Sequence, residues 1–247
     1  MAVSINLKGL NFKQSGKLLK KAAAHGEKEI ELTNVNGQRY IAAGLKGDLR
    51  INIYGTPGND LAAYMDGPEI SVMGNAQDGC CNTMNSGRVI INGSVGDIAG
   101  YAMRGGELFI RGNAGYRTGI HMKEYKDNVP ALVIGGRAGD FLGEYMAGGI
   151  IIVLGLGIEP GDEIVGNFCG AGMHGGVMYI RGSAAPHKFG KEVKSVKMEE
   201  RDYVLLEKYL KQFCDYFNEN LKKIMEGSFQ KIIPFNKRPY GNLYTPH

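Results

Sequence analysis

Methionine and glycine recur through this chain on one fixed period. Met65, Met84, Met103 and Met122 stand 19 residues apart, and Gly55, Gly74, Gly93 and Gly112 keep the same step. Met146 and Met173, with Gly135, Gly155 and Gly182, extend both series. The fifth and seventh residues after most of these Met are β-branched or aliphatic, as in Ile70 and Val72, Val89 and Ile91, Leu108 and Ile110, or Ile151 and Val153. A repeat of about 20 residues with one alternating run in each is the mark of a solenoid that winds one turn per repeat. Alternation means strand, because side chains at i and i+2 share a face. Nineteen residues hold two or three short strands and tight corners, but not a helix plus a strand with ordinary loops. The expected fold is therefore all-β, a right-handed parallel β-helix built as a single-stranded solenoid. Counting back from Gly55 adds a coil with Ile51 and Ile53 inward and Lys46 in place of Met, so about seven coils run from Gly44 to Gly182.

The remaining columns give each coil its detail. Gly58, Gly96 and Gly115, with Gln77 as the exception, follow the closing glycines by three residues, and Asn59, Asp78 and Asp97 come next. Such pairs suggest corners at positive φ, with Asn or Asp bonding its local backbone. Ala62, Cys81, Gly100 and Gly119 form a column of small residues, expected at a tightly packed bend. The Met column reads as an internal stack filled by flexible thioethers. Two steps break the period. The stretch from Met122 to Gly135 is four residues too long, which throws out Lys123 to Asn128, and that from Gly155 to Met173 is eight too long, around Ile158 to Glu163. Coils lengthen by extruding loops, and loops of this kind serve binding.

Three parts follow: a cap over residues 1–43, the β-helix over 44–185, and a helix with an extended arm over 186–247. In the cap, Leu18, Leu19, Ala22 and Ala23 predict a short helix over the first coil. Apolar residues from Tyr203 to Ile224 keep a 3.6-residue period, which predicts an amphipathic helix from Met198 to Ile224, ended by Gly227. Both would shield the open strand edges of the terminal coils. The arm from Phe229 to His247 holds Pro234, Pro239 and Pro246 among apolar residues, too many to be a solvated tail. The expected partner-binding residues are Tyr125 and Lys126 in one insertion, Glu159 and Glu163 in the other, and Phe229, Phe235 and Tyr240 in the arm.

Composition excludes several classes. The net charge of +4 lies in residues 188–247, where 12 Lys and Arg face 8 Asp and Glu, while 17 face 17 before it. No dense basic run or aromatic platform points to nucleic acid. The first ten residues lack the features of a signal peptide, and no apolar run reaches the roughly 20 residues of a membrane span. A soluble cytoplasmic protein is expected. Cys80, Cys81, Cys169 and Cys214 show no metal-type spacing and read as small core residues; a vicinal Cys80–Cys81 disulfide is the alternative, supported only by adjacency. His121 and His174 fall in different columns, so a stacked metal pair is not expected. Asn59, Asp78, Asp97 and Asp140 suggest a corner ladder, too sparse for a calcium roll. No Walker loop, nucleophile elbow or zinc-protease motif is present, and the clustered glycines Gly155, Gly157 and Gly161 precede no helix that could bind phosphate. No catalytic, cofactor-binding or metal-binding residue is assigned.

The runs GDFLGEYMAGGIIIVLG (Gly139 to Gly155) and GAGMHGGVMYIRG (Gly170 to Gly182) resemble the GXGXG β-helix domain that closes the large subunit of glutamate synthase. The resemblance covers about residues 30–185 and weakens through the terminal helix and the arm ending NKRPYGNLY. Similar repeats occur in one of the subunits of formylmethanofuran dehydrogenase. In glutamate synthase the resemblance implies a structural role, between an amidotransferase that releases ammonia from glutamine and an FMN and iron–sulfur synthase site. Position 2 of this chain is Ala, not the cysteine nucleophile of an amidotransferase, and no cysteine cluster or flavin barrel is present. The resemblance thus implies a scaffold subunit in nitrogen metabolism, free of cofactor, whose amidotransferase and flavin-dependent synthase partners are separate chains. A scaffold in a formylmethanofuran-type dehydrogenase and an independent hydrolase or lyase are the alternatives, and self-association stays open.

Overall fold

The computed structural model describes residues 2–159 and 161–235. Nine strands climb the solenoid in chain order as one parallel ladder: β1 (Val3–Asn6), β2 (Glu29–Asn36), β3 (Arg50–Thr56), β4 (Asp66–Val72), β5 (Ser86–Ile91), β6 (Glu107–Ile110), β7 (Ala131–Ile134), β8 (Ala147–Val153) and β9 (Gly175–Arg181). The last two strands, β10 (Val193–Val196) and β11 (Phe229–Pro234), join antiparallel, with β11 inserted between β9 and β10. Three helices accompany them: α1 (Phe12–Ala24), α2 (Glu200–Phe217) and α3 (Leu221–Met225). The seven strands β3 to β9 are the seven runs read from the sequence, and the path from first to last winds about six turns. The ladder also reaches back into the segment expected to act only as a cap. Ile30 pairs with Ile51 and Leu32 with Ile53, and β1 pairs in turn with β2. Neither of these strands follows a Met at the standard offset, so the 19-residue rule passes over them.

The core is the stack that the alternation predicts. Ile51, Ile70, Val89, Leu108, Leu132, Ile151 and Met178 lie in register, and each is fully buried. All six column methionines, Met65 to Met173, are likewise at 0% exposure. Register corrects one detail: Ile110 pairs with Ile134, so the glycine equivalent to Gly112 is Gly136 and not Gly135, and the first insertion is one residue longer than counted.

The glycine columns have a different cause from the one expected. Gly58, Gly96 and Gly115 are not at positive φ. A Cβ at Gly58 would lie 2.3 Å from the carbonyl oxygen of Gly37 one coil away, and at Gly96 and Gly115 it would lie 2.0 and 2.2 Å from Asp78 Oδ1 and Asp97 Oδ1. The glycines leave room for the neighbouring coil. The aspartates, expected to bond locally, also reach across: Asp78 Oδ1 accepts from the Asp97 amide (2.9 Å), Asp97 Oδ1 from Tyr116 (2.8 Å) and Asp140 Oδ1 from Asn167 (2.7 Å). Positive φ belongs to the small-residue column, at Ala62 (59°), Cys81 (62°), Gly100 (71°) and Gly119 (74°). There every second residue is left-handed, and the amides point alternately to the coil on either side. Ile98 donates to Tyr116 O and Ala102 to Ile120 O in the following coil, while Gly100 donates to Cys80 O in the preceding one.

The C-terminal helix is two pieces. Asn218 adopts a left-handed conformation (φ 54°) and ends α2, and α3 follows after a turn. Asparagine tolerates this conformation better than other non-glycine residues, so the apolar period continues through a break in the backbone. No helix among the described residues is long and apolar enough to cross a membrane.

Two outcomes test this packing. Met103→Asp should destabilise the fold by several kcal/mol, since it places an unpaired charge at mid-stack, and an unchanged urea midpoint would refute the assigned register. Gly58→Ala should cost about 1–3 kcal/mol, as overpacking does, whereas His187→Ala in the exposed segment after β9 should leave the same midpoint unmoved.

Candidate partner-binding surfaces

The first insertion leaves the coil ahead of β7. Tyr125 and Asn128 exchange backbone bonds of 3.1 Å, which pinches the loop into a tight turn. Tyr125 is 54% exposed, and the Lys126 ammonium sits 5.5 Å above its ring. Glu124 anchors the base, its Oε1 accepting from the Gly149 amide at 2.9 Å. The second insertion leaves after β8, at a different corner. Glu159 is exposed there, and Glu163 forms an ion pair with Lys188, which also donates to Asn167 Oδ1 at 3.1 Å. The two insertions line separate hollows, so the structure does not gather them into one site.

The arm divides. Phe229, expected to face a partner, is only 8% exposed and packs in an apolar cluster with Leu206, Leu210 and Phe213 of α2, so it serves the chain's own sheet. Phe235, at 69% exposure, stays available, with the Lys194 ammonium 5.0 Å from its ring. Tyr240 lies outside the described residues. The arm is fastened by a buried cluster at the start of α2. Asp202 accepts from Tyr179 Oη of β9 (2.6 Å), Lys231 Nζ of β11 (2.8 Å) and the Glu199 amide (2.7 Å). Burial by itself would raise the Asp202 carboxyl, but these donors outweigh it and hold the pKa below its usual value.

The outer face of the sheet was not anticipated. In its second half the outward residues Phe109, Val133, Ile152 and Tyr179 are as buried as the inward ones, because α2 covers them. The signal was the unbroken runs Leu108–Ile110, Ala131–Ile134 and Ile150–Leu154, the pattern of a strand buried on both faces. In its first half the same face carries a charge column, Glu29, Arg50, Glu69, Arg88 and Glu107, each in register with the next. Arg50 Nε lies 3.4 Å from Glu69 Oε1, and Arg88 bridges Glu69 (3.3 Å) and Glu107 (2.5 Å). With Glu124 and Asp127 of the first insertion and Lys208 and Tyr209 of α2, this column lines an open groove of about 1200 Å³. Within the column an arginine stands between successive glutamates, which suits polar recognition better than paired-acid catalysis.

The left-handed corner presents aromatic rings to solvent. His121 stacks on Tyr145 (5.3 Å, 10° between planes) and meets Tyr101 edge-on (6.0 Å), and Phe141 stacks on Phe168 at 5.0 Å. His121 therefore takes part in ring stacking, while His174 Nδ1 lies 3.2 Å from the Gly172 carbonyl. Arg117 reaches Glu144 at 3.1 Å as a charge pair without an aligned hydrogen bond. The cysteines are free and buried, with Cys80 and Cys81 sulfurs 3.7 Å apart. Burial pushes the Cys169 thiol up to about 12 and Cys214 to about 11, so neither is a thiolate nucleophile at neutral pH. Among the described residues no three His, Cys, Asp or Glu side chains form a metal-binding group.

Comparison with known proteins matches residues 29–236 to the family described by the GXGXG motif. This chain belongs to the GXGXG family. An uncharacterised protein of Methanocaldococcus jannaschii is 54% identical over 225 residues, which are 89% of this chain and 86% of that protein. Ferredoxin-dependent glutamate synthase 2 of Synechocystis is 31% identical over 177 residues, 66% of this chain. Ferredoxin-dependent glutamate synthase of Pyropia yezoensis is 32% identical over 158 residues, 60% of this chain. In both synthases the matching part is 10% of the length.

The Asp202 cluster makes a pH prediction. A carboxyl whose folded pKa is lowered contributes its full stability above the unfolded value, near 3.8, and loses it as pH falls through the folded value. Asp202→Asn should lower stability by about 3–5 kcal/mol at pH 7, leaving Lys231 buried without its counter-charge. The gap to the native chain should then narrow below pH 4, as followed by thermal melts across pH.

Proposed function

We propose that this chain is the non-catalytic β-helix subunit of a split glutamate-synthase-like complex in nitrogen metabolism, acting in the cytoplasm. Glutamine hydrolysis and the FMN and iron–sulfur synthase reaction would reside on partner chains. The observation that carries the reading is one of proportion: the likeness to ferredoxin-dependent glutamate synthase spans most of this chain but only 10% of the enzyme. Residue chemistry supports it. The four thiols are enclosed in the core, and the surface carboxylates of the charge column alternate with arginines. A rigid spine bearing loops at separate corners suits a part that holds other proteins at fixed positions. Tyr125, Lys126, Glu159 and Phe235, together with the polar groove, are the surfaces offered to those partners. Holding two catalytic chains on one scaffold raises their effective concentration, which a split enzyme needs in place of a covalent link.

Reconstitution tests the reading. The amidotransferase and flavoprotein chains that co-purify with the native protein are assayed for glutamine-dependent glutamate formation at dilute concentration. Omitting this chain should reduce the rate roughly 100-fold, and the chain alone should show no flavin absorbance, no bound iron and no glutamine turnover. Co-purification with a pterin-containing dehydrogenase, or glutamine turnover by the chain alone with contamination excluded, would overturn the reading.

A further inference from the structure

We propose that the N-terminal end of the solenoid docks an acidic, extended segment of a partner protein, which adds to β1 as one more strand and lies along a lysine stripe on α1. The inference goes beyond the role above and holds whichever catalytic chains the assembly contains.

The first observation is an open strand edge. Among the described residues β1 ends the sheet and pairs only with β2, in register from Val3 with Ile30 to Asn6 with Thr33. The Leu7 amide donates to Thr33 O at 2.9 Å, so by the alternation of a parallel strand the backbone groups of Val3 and Ile5 face β2. Those of Ser4 and Asn6 face away, with no backbone partner among the described residues. The strand has no charge, proline or bulge of the kind that ordinarily blunts an edge. Two residues with both donor and acceptor turned outward are what strand addition uses.

The second observation is charge. Lys13, Lys17, Lys20 and Lys21 fall on one face of α1, all exposed, opposite the buried Ser15 and Leu19. α1 contains no carboxylate. Residues 1–28 carry six lysines against one glutamate, a net +5, whereas residues 29–187 carry 11 basic against 16 acidic residues, a net −5. The equal totals of the first 187 residues conceal this segregation. The buried side of α1 packs on the end of the core, so its lysine stripe points out of the end of the stack, as the free edge of β1 does. An incoming strand therefore finds main-chain partners and counter-charges together. Phe12 (43% exposed) and Leu18 (41%) flank the stripe and offer apolar contact. A second copy of this chain fits poorly, because pairing β1 with β1 would bring two lysine stripes together.

The test uses the full chain and a fluorescein-labelled decapeptide of alternating Glu and Val, read by anisotropy. Saturable binding is expected, weakened about tenfold when NaCl rises from about 50 to about 500 mM as screening removes the charge attraction. The same peptide N-methylated at alternate amides should bind about tenfold more weakly, since it cannot form one side of the ladder. Ser4→Pro, which removes an outward amide, and the pair Lys17→Glu and Lys21→Glu should each weaken binding similarly without moving the melting temperature. Absence of saturable binding would make the lysines mere guards of the edge and overturn the proposal, as would equal affinity for the N-methylated peptide. Binding to phosphatidylglycerol vesicles in preference to the peptide would assign the face to membrane. A dimer seen by light scattering and lost in Ser4→Pro would assign it to a second copy.

Discussion

Everything in this fold depends on how closely one coil lies on the next. Parallel strands stack at about 4.8 Å, and on the strand face that distance is set by the ladder itself. Between the strands the backbones are held as near by other means. Asp78, Asp97 and Asp140 reach across to amides of the neighbouring coil, and at the left-handed corner alternate amides bond in opposite directions. Where the chain passes over an acceptor it has no space for a β-carbon, and glycine is the residue left. The excess of glycine is therefore a result of stacking more than of turning. The same tight stacking explains why the extra residues leave the coil at corners, where the ladder is not interrupted.

What could be read from the sequence follows from which of these constraints leave a periodic trace. The inward positions and the Met column repeat on the same step, so Ile70, Val89, Leu108 and Met103 were placed correctly by counting. Counting could not assign a cause to Gly96, since glycine serves a positive φ and a close approach equally well. Nor could it find β2, whose Ile30 and Leu32 precede the regular series. The helical period through Ile224 was legible, but the break at Asn218 depends on one backbone conformation that apolar spacing does not report. The charge column Arg50, Glu69, Arg88 and Glu107 keeps the same interval of 19, but it lies at outward positions that core periodicity does not report. Of the expected partner residues, Tyr125, Lys126, Glu159 and Phe235 are at the surface, Glu163 is exposed but paired with Lys188, and Phe229 belongs to the sheet. Composition alone could not separate these cases, since an apolar arm residue and an apolar core residue look alike.

The outside of the solenoid is divided among distinct chemistries. One half of the sheet is apolar and already covered by α2, the other half is a groove of paired charges, and the left-handed corner carries rings. Tyr64, Tyr145 and Phe168 hold that corner at φ between 52 and 59° while more than 40% exposed. Bulky residues in this conformation cost of order 1–2 kcal/mol relative to glycine, and Gly79 and Gly172 show that glycine is accepted in the same columns. Ring stacking between coils offsets part of that cost at Tyr145 and Phe168, where partners lie at 5.3 and 5.0 Å.

The stacked ladder also makes the molecule a ruler. From β1 to β9 there are eight steps of about 4.8 Å, which set the two ends of the parallel ladder roughly 38 Å apart. That separation cannot be adjusted continuously, because a coil is either present or absent. Lengthening a loop at a corner leaves it untouched, while adding or deleting one whole 19-residue unit would change it by a single strand spacing. Whatever is held at the two ends is thus kept at a distance written in whole numbers of coils.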